Sequence, residues 1–595
     1  MHRLPLVLTA TFVTLLLGQP AEPEGTASPE RPGVPELTSS YLERWFATFP
    51  SQATAAGRHD RDLELEDLSP ERRREWIAYS RQVATELVAL QARRTLSEDD
   101  RLDAALLVRK VAFDLYDWDT LERPERDPLL WTDLLANANV SLLVRQDRPA
   151  PERLAAAAAR ARQLPRLARQ AREALAGTPP GEISAEITRM AAGQVAAIAR
   201  FYREGFAAAA AGEPSLAGEL ARAGAEAAPA LEELAGFLED LGRRATGSPL
   251  LGPHYEQRFR LATGQTEPLA TLLARAHEDL AAKVAEAATY GRGVWASILP
   301  DRPPPEDDKA LLAALFARLA EDRAETTEEL VADYLRQVDA AFAFVRDRQL
   351  MTLPEPRTLW AGASPPFFAG QSVGGVYPAG PWAPEATTLW FLPTPSERAT
   401  PAAREAFFRD FNHHFNVMIT PHEIVPGHYT QLKLAARHPR KVRALFPDGP
   451  YVEGWGTFCE RLMLDLGWGG PLDRLAHFKK QLENAARTIV DIRVHTEGMT
   501  RSQVLRFVRE EALQDEQFAA NMWARAIATS PQLTFYHLGY RQVHGLYEEV
   551  RAARGSRFEL RAFLDAMMEL GPVPVARYRE RLLGDSSLRG NPAGS

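Results

Sequence analysis

Two imidazoles and a carboxylate fall within seven residues at His422-Glu423-Ile424-Val425-Pro426-Gly427-His428. Imidazole nitrogens are zinc ligands and a neighbouring carboxylate can take a proton, so this stretch could hold a metal and a general base side by side. The spacing is awkward for a helix. Each residue turns an ideal helix by roughly 100°, so a histidine four positions on lies near the first, whereas one six positions on points roughly 240° away. Pro426 and Gly427 remove the difficulty. A proline ring lacks the amide donor and clashes with the carbonyl four residues back, here that of His422, while glycine takes backbone angles closed to other residues. The helix is expected either to widen, as at a π-bulge, or to end between the histidines, so that His428 swings back toward His422. A helix that merely stops at Pro-Gly with two histidines near a surface is the plainer alternative.

The stretch resembles the zinc-peptidase signature H-E-x-x-H, in which the glutamate acts as general base, but proline stands where the second histidine should be. A catalytic zinc site also needs a third protein ligand and an open position. Glu453 is the candidate, at the start of Val452-Glu453-Gly454-Trp455-Gly456-Thr457-Phe458-Cys459-Glu460, a segment that reads as the next helix. Gly454 and Gly456 are small enough to let that helix approach closely. Glu460, seven residues on and nearly on the same face, could accept a proton from a ligating imidazole and orient it. His413 and His414 are rivals, because five of the chain's 13 histidines fall between His413 and His438. Adjacent side chains on a helix diverge by roughly 100°, so at most one of that pair would face the metal, and both rank below His428.

The elements that must position these groups are mostly helical. From Ser39 onward, stretches such as Tyr41 to Thr48, Pro70 to Thr95, Ala150 to Ala176 and Leu269 to Thr289 repeat apolar residues every three or four positions. Alanine and arginine dominate them, and the tracts Ala155 to Ala159 and Ala207 to Ala211 read as plain helix. Pro179-Pro180-Gly181 and Pro303-Pro304-Pro305 mark turns. Between Met351 and Pro395 glycine, proline and aromatics take over, and Gly374 to Tyr377 and Thr387 to Leu392 read as short strands. The second strand either runs beside the metal and pairs with an extended substrate, or belongs to a buried structural hairpin. Helical pattern returns after Thr400 and continues to about Leu583.

The 595 residues carry a net charge of −9 with a pI near 5.9, which gives no basic excess for nucleic acid. His2 and Arg3, the apolar run Leu4 to Gly18 and small residues to Ala21 read as a cleaved export signal over 1–21, too short to span a membrane. The expected location is periplasmic or extracellular, with no stable membrane insertion. Residues 22–36 read as a disordered linker with folding from Leu37, 37–350 as a helical amino-terminal half, 351–583 as a catalytic half with strands in 351–395, and 584–595 as a frayed tail. The single cysteine, Cys459, reads as a buried apolar residue.

His-Glu-x-x-Pro-Gly-His followed by Glu-Gly-Trp resembles the bacterial family catalogued as domain of unknown function 885, whose members are similar to helical zinc metallopeptidases. The resemblance extends to Phe49-Pro50-Ser51-Gln52-Ala53-Thr54 with Gly57, His59 and Asp60, to Arg487-Thr488-Ile489-Val490-Asp491 with His495, to Pro531 to Gly539 containing Tyr536, and to Leu570-Gly571-Pro572-Val573-Pro574. It implies a mainly α, zincin-like helical body around a cleft with a small β-sheet next to the metal site. His422, His428 and Glu453 would be the zinc ligands and Glu423 the base. This chain departs from the family in having Tyr429 where a further histidine is usual and Phe535 where a small residue is usual.

The implied reaction is hydrolysis of small peptides. Zinc lowers the pKa of its water toward about 7 and polarises the scissile carbonyl, and Glu423 carries the proton to the departing amine. Tyr536 and His495 are candidate catalytic donors to the oxyanion because they lie in the family-like segments. Arg487 and Arg493 could clasp a substrate carboxylate. Two other functions fit the same residues: a non-catalytic helical protein that binds a peptide or other ligand around a structural metal, and a zinc hydrolase of non-peptide amides.

Overall fold

Apolar residues at three- and four-residue spacing become helices wherever they can be buried together. The computed structural model describes residues 33–93, 95–210, 212–364, 375–395 and 399–584. The expected signal and most of the linker lie outside these residues. Helix begins ahead of Leu37, at Val34 (α1, Val34–Thr48), because Val34, Leu37, Tyr41 and Phe46 share one buried face. The last helix, Val575–Gly584, closes on the residue where the tail was expected to begin; residues 585–595 lie outside the described residues.

The predicted helical stretches are present with local changes. Ala150 to Ala176 divides into Ala150–Ala161 and Leu164–Ala176, since Pro165 is tolerated in a first helical turn but not in an interior. Ala207 to Ala210 winds as a 3₁₀-helix instead of the expected α-helix. Here the chain lies against α2 (Pro214–Arg244) so closely that a Cβ at Gly224 would overlap the Tyr202 carbonyl. Two more long helices follow, α3 (Leu269–Ile298) and α4 (Thr327–Asp347).

The expected sheet has three strands: β1 (Leu359–Ala363), β2 (Gly375–Tyr377) and β3 (Thr388–Leu392). β3 is central, parallel to β1 with Leu359 opposite Thr388 and antiparallel to β2 with Tyr377 opposite Leu389. All five of its residues are buried, as suits a continuous apolar run. With a partner on each edge, β3 has no free backbone for a substrate, so the structural hairpin is the arrangement found. β1 completes the sheet.

After the sheet come α5 (His413–Glu423), α6 (His428–Arg437), α7 (Gly449–Asp465), α8 (Pro471–Glu497), α9 (Glu516–Thr529) and α10 (Phe535–Arg554). α8 is buried on nearly every face and packs against α3, α5, α9 and α10. One apolar core runs from Leu65 to Leu582, so the change in composition near residue 350 does not separate two cores. The family-like segment near residue 50 is a brace. Thr54 donates to Asp62 at 2.6 Å, Arg160 donates to Thr54 at 2.6 Å, and the Ala56 carbonyl accepts from Trp382 ahead of β3. No helix among the described residues is long and apolar enough to cross a membrane.

Candidate metal centre

The Asn412 side chain caps the start of α5 by accepting from Phe415 N at 3.0 Å. Pro421, inside this helix, cannot donate to the Val417 carbonyl, and the Trp468 indole does so instead at 2.9 Å. The helix ends at Glu423, with Ile424 at φ −113° and ψ −86°, and α6 starts at His428. Of the two expected distortions, the chain takes the complete break.

The four residues between fold back tightly. A Cβ on Gly427 would overlap the His422 carbonyl oxygen, so only glycine fits there. The Trp455 indole donates to the Pro426 carbonyl at 2.9 Å and ties the turn to α7. His422 therefore stands at the end of one helix and His428 at the start of the next, with ring centroids 4.6 Å apart.

Glu453 comes from the first turns of α7, whose start is capped by Asp448 accepting from Tyr451 N at 2.9 Å. Its Oε2 lies 3.5 Å from His422 Nε2 and 3.7 Å from His428 Nε2, and the three ligand atoms lie within 4.8 Å of one another. A tetrahedral zinc with ligands at about 2.0–2.1 Å separates them by roughly 3.4 Å. The spacing is thus long for hydrogen bonds and close to that of a shared cation. The two expected glycines do different work. Gly456 faces the His422 ring, where a Cβ would approach to 2.8 Å, and Gly454 lets α7 touch the backbone of Gly539 on α10.

Glu460 is fully buried and takes the orienting role expected of it. His422 Nδ1 donates to Oε1 at 2.8 Å and His477 Nδ1 to Oε2 at 3.1 Å. The carboxylate can only accept, so the proton of a neutral His422 sits on Nδ1 and its Nε2 lone pair faces Glu453. Burial raises the Glu460 pKa, but the two imidazole hydrogen bonds outweigh it and hold the group down at about 2. Burial likewise favours a neutral His422, yet Glu453 and Glu460 draw a proton onto it and lift its pKa to about 10. Among the described residues His428 Nδ1 is buried without a partner. The donor set fits a divalent cation: two imidazoles, one of them oriented by a buried carboxylate, and one carboxylate ligand.

Glu423 follows His422 directly and is partly exposed; among the described residues it has no hydrogen-bond or ion-pair partner. Tyr536, at the start of α10, stacks on His422 with centroids 6.5 Å apart, and its hydroxyl accepts from Arg525 at 3.4 Å. Burial and then the Glu453 charge push its pKa up. Glu453 has a 17% exposed side chain, so solvent reaches this side of the group.

His495 does not join it. Its Nδ1 accepts from Leu251 N at 3.0 Å, its Nε2 donates to the Ala526 carbonyl at 2.9 Å, and it stacks on Tyr255. Both nitrogens are committed to backbone, burial lowers the pKa to about 4, and the ring is a neutral tie between segments. Arg493 pairs with Glu497 on a more exposed turn at 2.7 Å, whereas Arg487 is buried with its guanidinium 4.5 Å from the Tyr536 ring centroid. His413 and His414 also come together with Asp473. Three of their four nitrogens are already engaged: His413 Nδ1 with Asp333 at 3.0 Å, His414 Nδ1 with Asp473 at 2.8 Å and His414 Nε2 with Asp322 at 2.9 Å.

Tyr334 carried no signal in the sequence, while Tyr429 and Phe535 stood out only as departures from the family pattern. Tyr334 on α4 is fully buried with an unpartnered hydroxyl, and its pKa is raised by burial and then by the Glu423 charge. It also packs edge-on against Trp390 of β3, at 5.3 Å, which links the sheet to the end of α5. Tyr429 forms a second link, accepting from Thr358 N at 3.1 Å just before β1. Phe535 lies on Gly449 at the start of α7.

Comparison with solved structures gives likenesses over nearly the whole chain, among them two bacterial proteins. A candidate lipoprotein of unknown function from Shewanella oneidensis matches with a TM-score of 0.74 at 24% identity, covering 93% of this chain and 100% of that one. A candidate lipoprotein from Colwellia psychrerythraea matches with a TM-score of 0.75 at 17% identity, covering 93% and 98%. Both share the fold. Comparison with curated proteins gives no match. The sequence model described as bacterial protein of unknown function (DUF885) matches residues 50–582, and the chain therefore belongs to that family.

Proposed function

We propose that the protein is an exported, zinc-dependent metallopeptidase that hydrolyses small peptides. The observation that carries the reading is the convergence of His422 Nε2, His428 Nε2 and Glu453 Oε2 beside an unpartnered carboxylate, Glu423. A zinc ion held by the three ligands would supply Lewis acidity and make water acidic enough to lose a proton near neutral pH. Glu423 takes that proton and returns it to the departing amine. Glu460 keeps the His422 tautomer and ring orientation constant throughout. Tyr536 accepts from Arg525, which leaves its own proton free to donate to a developing oxyanion.

A purely structural zinc site has four protein ligands and no use for an adjacent base, so Glu423 favours catalysis over a closed site. The test is the full-length protein with Glu423→Gln. Zinc should remain stoichiometric by elemental analysis, while turnover of a mixed peptide library falls by about 10²-fold or more. Undiminished turnover in this variant, or in metal-stripped protein, would overturn the reading. Non-peptide amides run beside the library separate a peptidase from another amide hydrolase. Export rests on residues 1–21 and is checked by sequencing the amino terminus of the mature protein.

A further inference from the structure

Around Tyr536 and Glu483 three cations gather, Lys480, Arg487 and Arg525. Lys480 and Arg487 on α8 are each about nine-tenths buried. Lys480 Nζ lies 3.0 Å from Glu483 Oε2, and the Arg487 guanidinium lies 2.5 Å from Glu483 Oε1. Arg525 approaches from α9 with its guanidinium 5.8 Å from the Tyr536 ring centroid. It donates to the Tyr536 hydroxyl and to Gln532 Oε1, both at 3.4 Å, and among the described residues it forms no ion pair. Glu483 is the carboxylate that ion-pairs with Lys480 and Arg487, whereas Arg525 meets Glu453 and Glu483 only through their charge at longer range, so its guanidinium, with two long hydrogen bonds, has donors to spare. Unused donors lie on the same stretch of α8. Among the described residues Asn484 Nδ2 and Thr488 Oγ1 are buried without a partner, while Asn484 Oδ1 accepts from Arg487 at 3.2 Å.

We propose that this group receives a carboxylate of the substrate, close to the bond that is cut. Guanidinium groups match a carboxylate with paired donors, and Glu483, held by both Lys480 and Arg487, keeps those cations from collapsing toward the metal ligands. The separation is short. The His422 and Tyr536 rings are 6.5 Å apart and the Arg487 guanidinium is 4.5 Å from the Tyr536 ring, so a carboxylate at Arg487 lies no more than about three extended residues from the ligands, at roughly 3.3–3.6 Å per residue. The substrate class is a peptide with a negative charge one to about three residues from the scissile bond, supplied by a free carboxy terminus or by an acidic side chain. Calling the ligand a substrate rests on the peptidase reading; the binding site itself does not.

The test uses full-length Glu423→Gln protein, with the metal it carries, and calorimetric titration of three probes: N-acetyl-trialanine, its carboxy-terminal amide, and N-acetyl-Ala-Glu-Ala amide. A carboxylate probe should bind about tenfold or more tightly than the neutral amide, the first identifying the terminus and the third a side chain. Adding Arg525→Gln, or separately Arg487→Gln, should bring the preferred probe to within about twofold of the neutral amide. Equal binding of all three probes overturns the proposal, and so does a preference that survives both substitutions. The comparison of probes needs neither substitution, so a variant that fails to fold does not remove the test. A carboxylate preference in a protein whose wild type cleaves no peptide would sink the peptidase reading and leave the site standing.

Discussion

His422 is held at both ring nitrogens, one by Glu460 and the other by the space it shares with His428 and Glu453. Replacing Glu460 by glutamine should lower zinc affinity by about 10–100-fold, read by competition with a chromophoric chelator. An affinity within twofold of wild type would remove the orienting role. Proton and metal compete for His422 Nε2. Because the two carboxylates lift the His422 pKa to about 10, the metal-free ring carries an extra proton at neutral pH, and that proton must leave when zinc arrives. Zinc affinity should therefore rise by about tenfold per unit between pH 6 and 8, with close to one proton released per ion in titrations run in buffers of different ionisation enthalpy. At this scale the convergence of His422, His428 and Glu453 was legible because their types and spacing are specific. His495 was not, since a histidine on a helix gives no sign that an amide from Leu251 and a carbonyl from Ala526 will occupy it.

The element that decides the site is the turn between α5 and α6. Gly427 is the tighter of its two helix breakers, since any side chain there would strike the His422 carbonyl, whereas Ile424 has already left helical angles before Pro426 is reached. Gly427→Ala should weaken zinc binding more than Pro426→Ala in the same chelator competition, while far-UV circular dichroism stays close to wild type. The reverse order would show that the proline, not the glycine, sets the turn. The break itself was readable from Pro-Gly, and the long helices from their apolar period. β1 was not readable: Leu-Trp-Ala-Gly-Ala has no alternation or β-branched residue, and its pairing with β3 is settled by contacts remote in sequence. The 3₁₀ winding of Ala207 to Ala210 was equally unmarked, since alanine by itself prefers the α-helix.

Across the whole molecule, the amino-terminal half braces the helices that carry the site at several separate points. Leu251 holds His495, Asp279 holds His537 at 2.9 Å, Asp322 and Asp333 hold His414 and His413, and Tyr334 lies by Glu423. With one core running through both halves, the protein should unfold in a single transition, with far-UV dichroism and tryptophan fluorescence superimposing. Zinc at about 100 times its dissociation constant should shift that transition by the equivalent of about 2.7 kcal/mol. Two separated transitions, with zinc moving only one of them, would show that the compositional boundary near residue 350 is a structural one.

That bracing bears on when the ion can arrive. Synthesis runs from the amino end, so α1 to α4 and the sheet are laid down before His422 exists, and Tyr536 follows only after α9. The donors His422, His428 and Glu453 come from three helices that protein contacts already join, the Trp455 indole to the Pro426 carbonyl and His422 to Glu460. On the proposed reading, a zinc ion would be held by a frame whose joints are made of protein groups. Were the chain exported before folding, as also proposed, that ion would come from the compartment in which the chain folds.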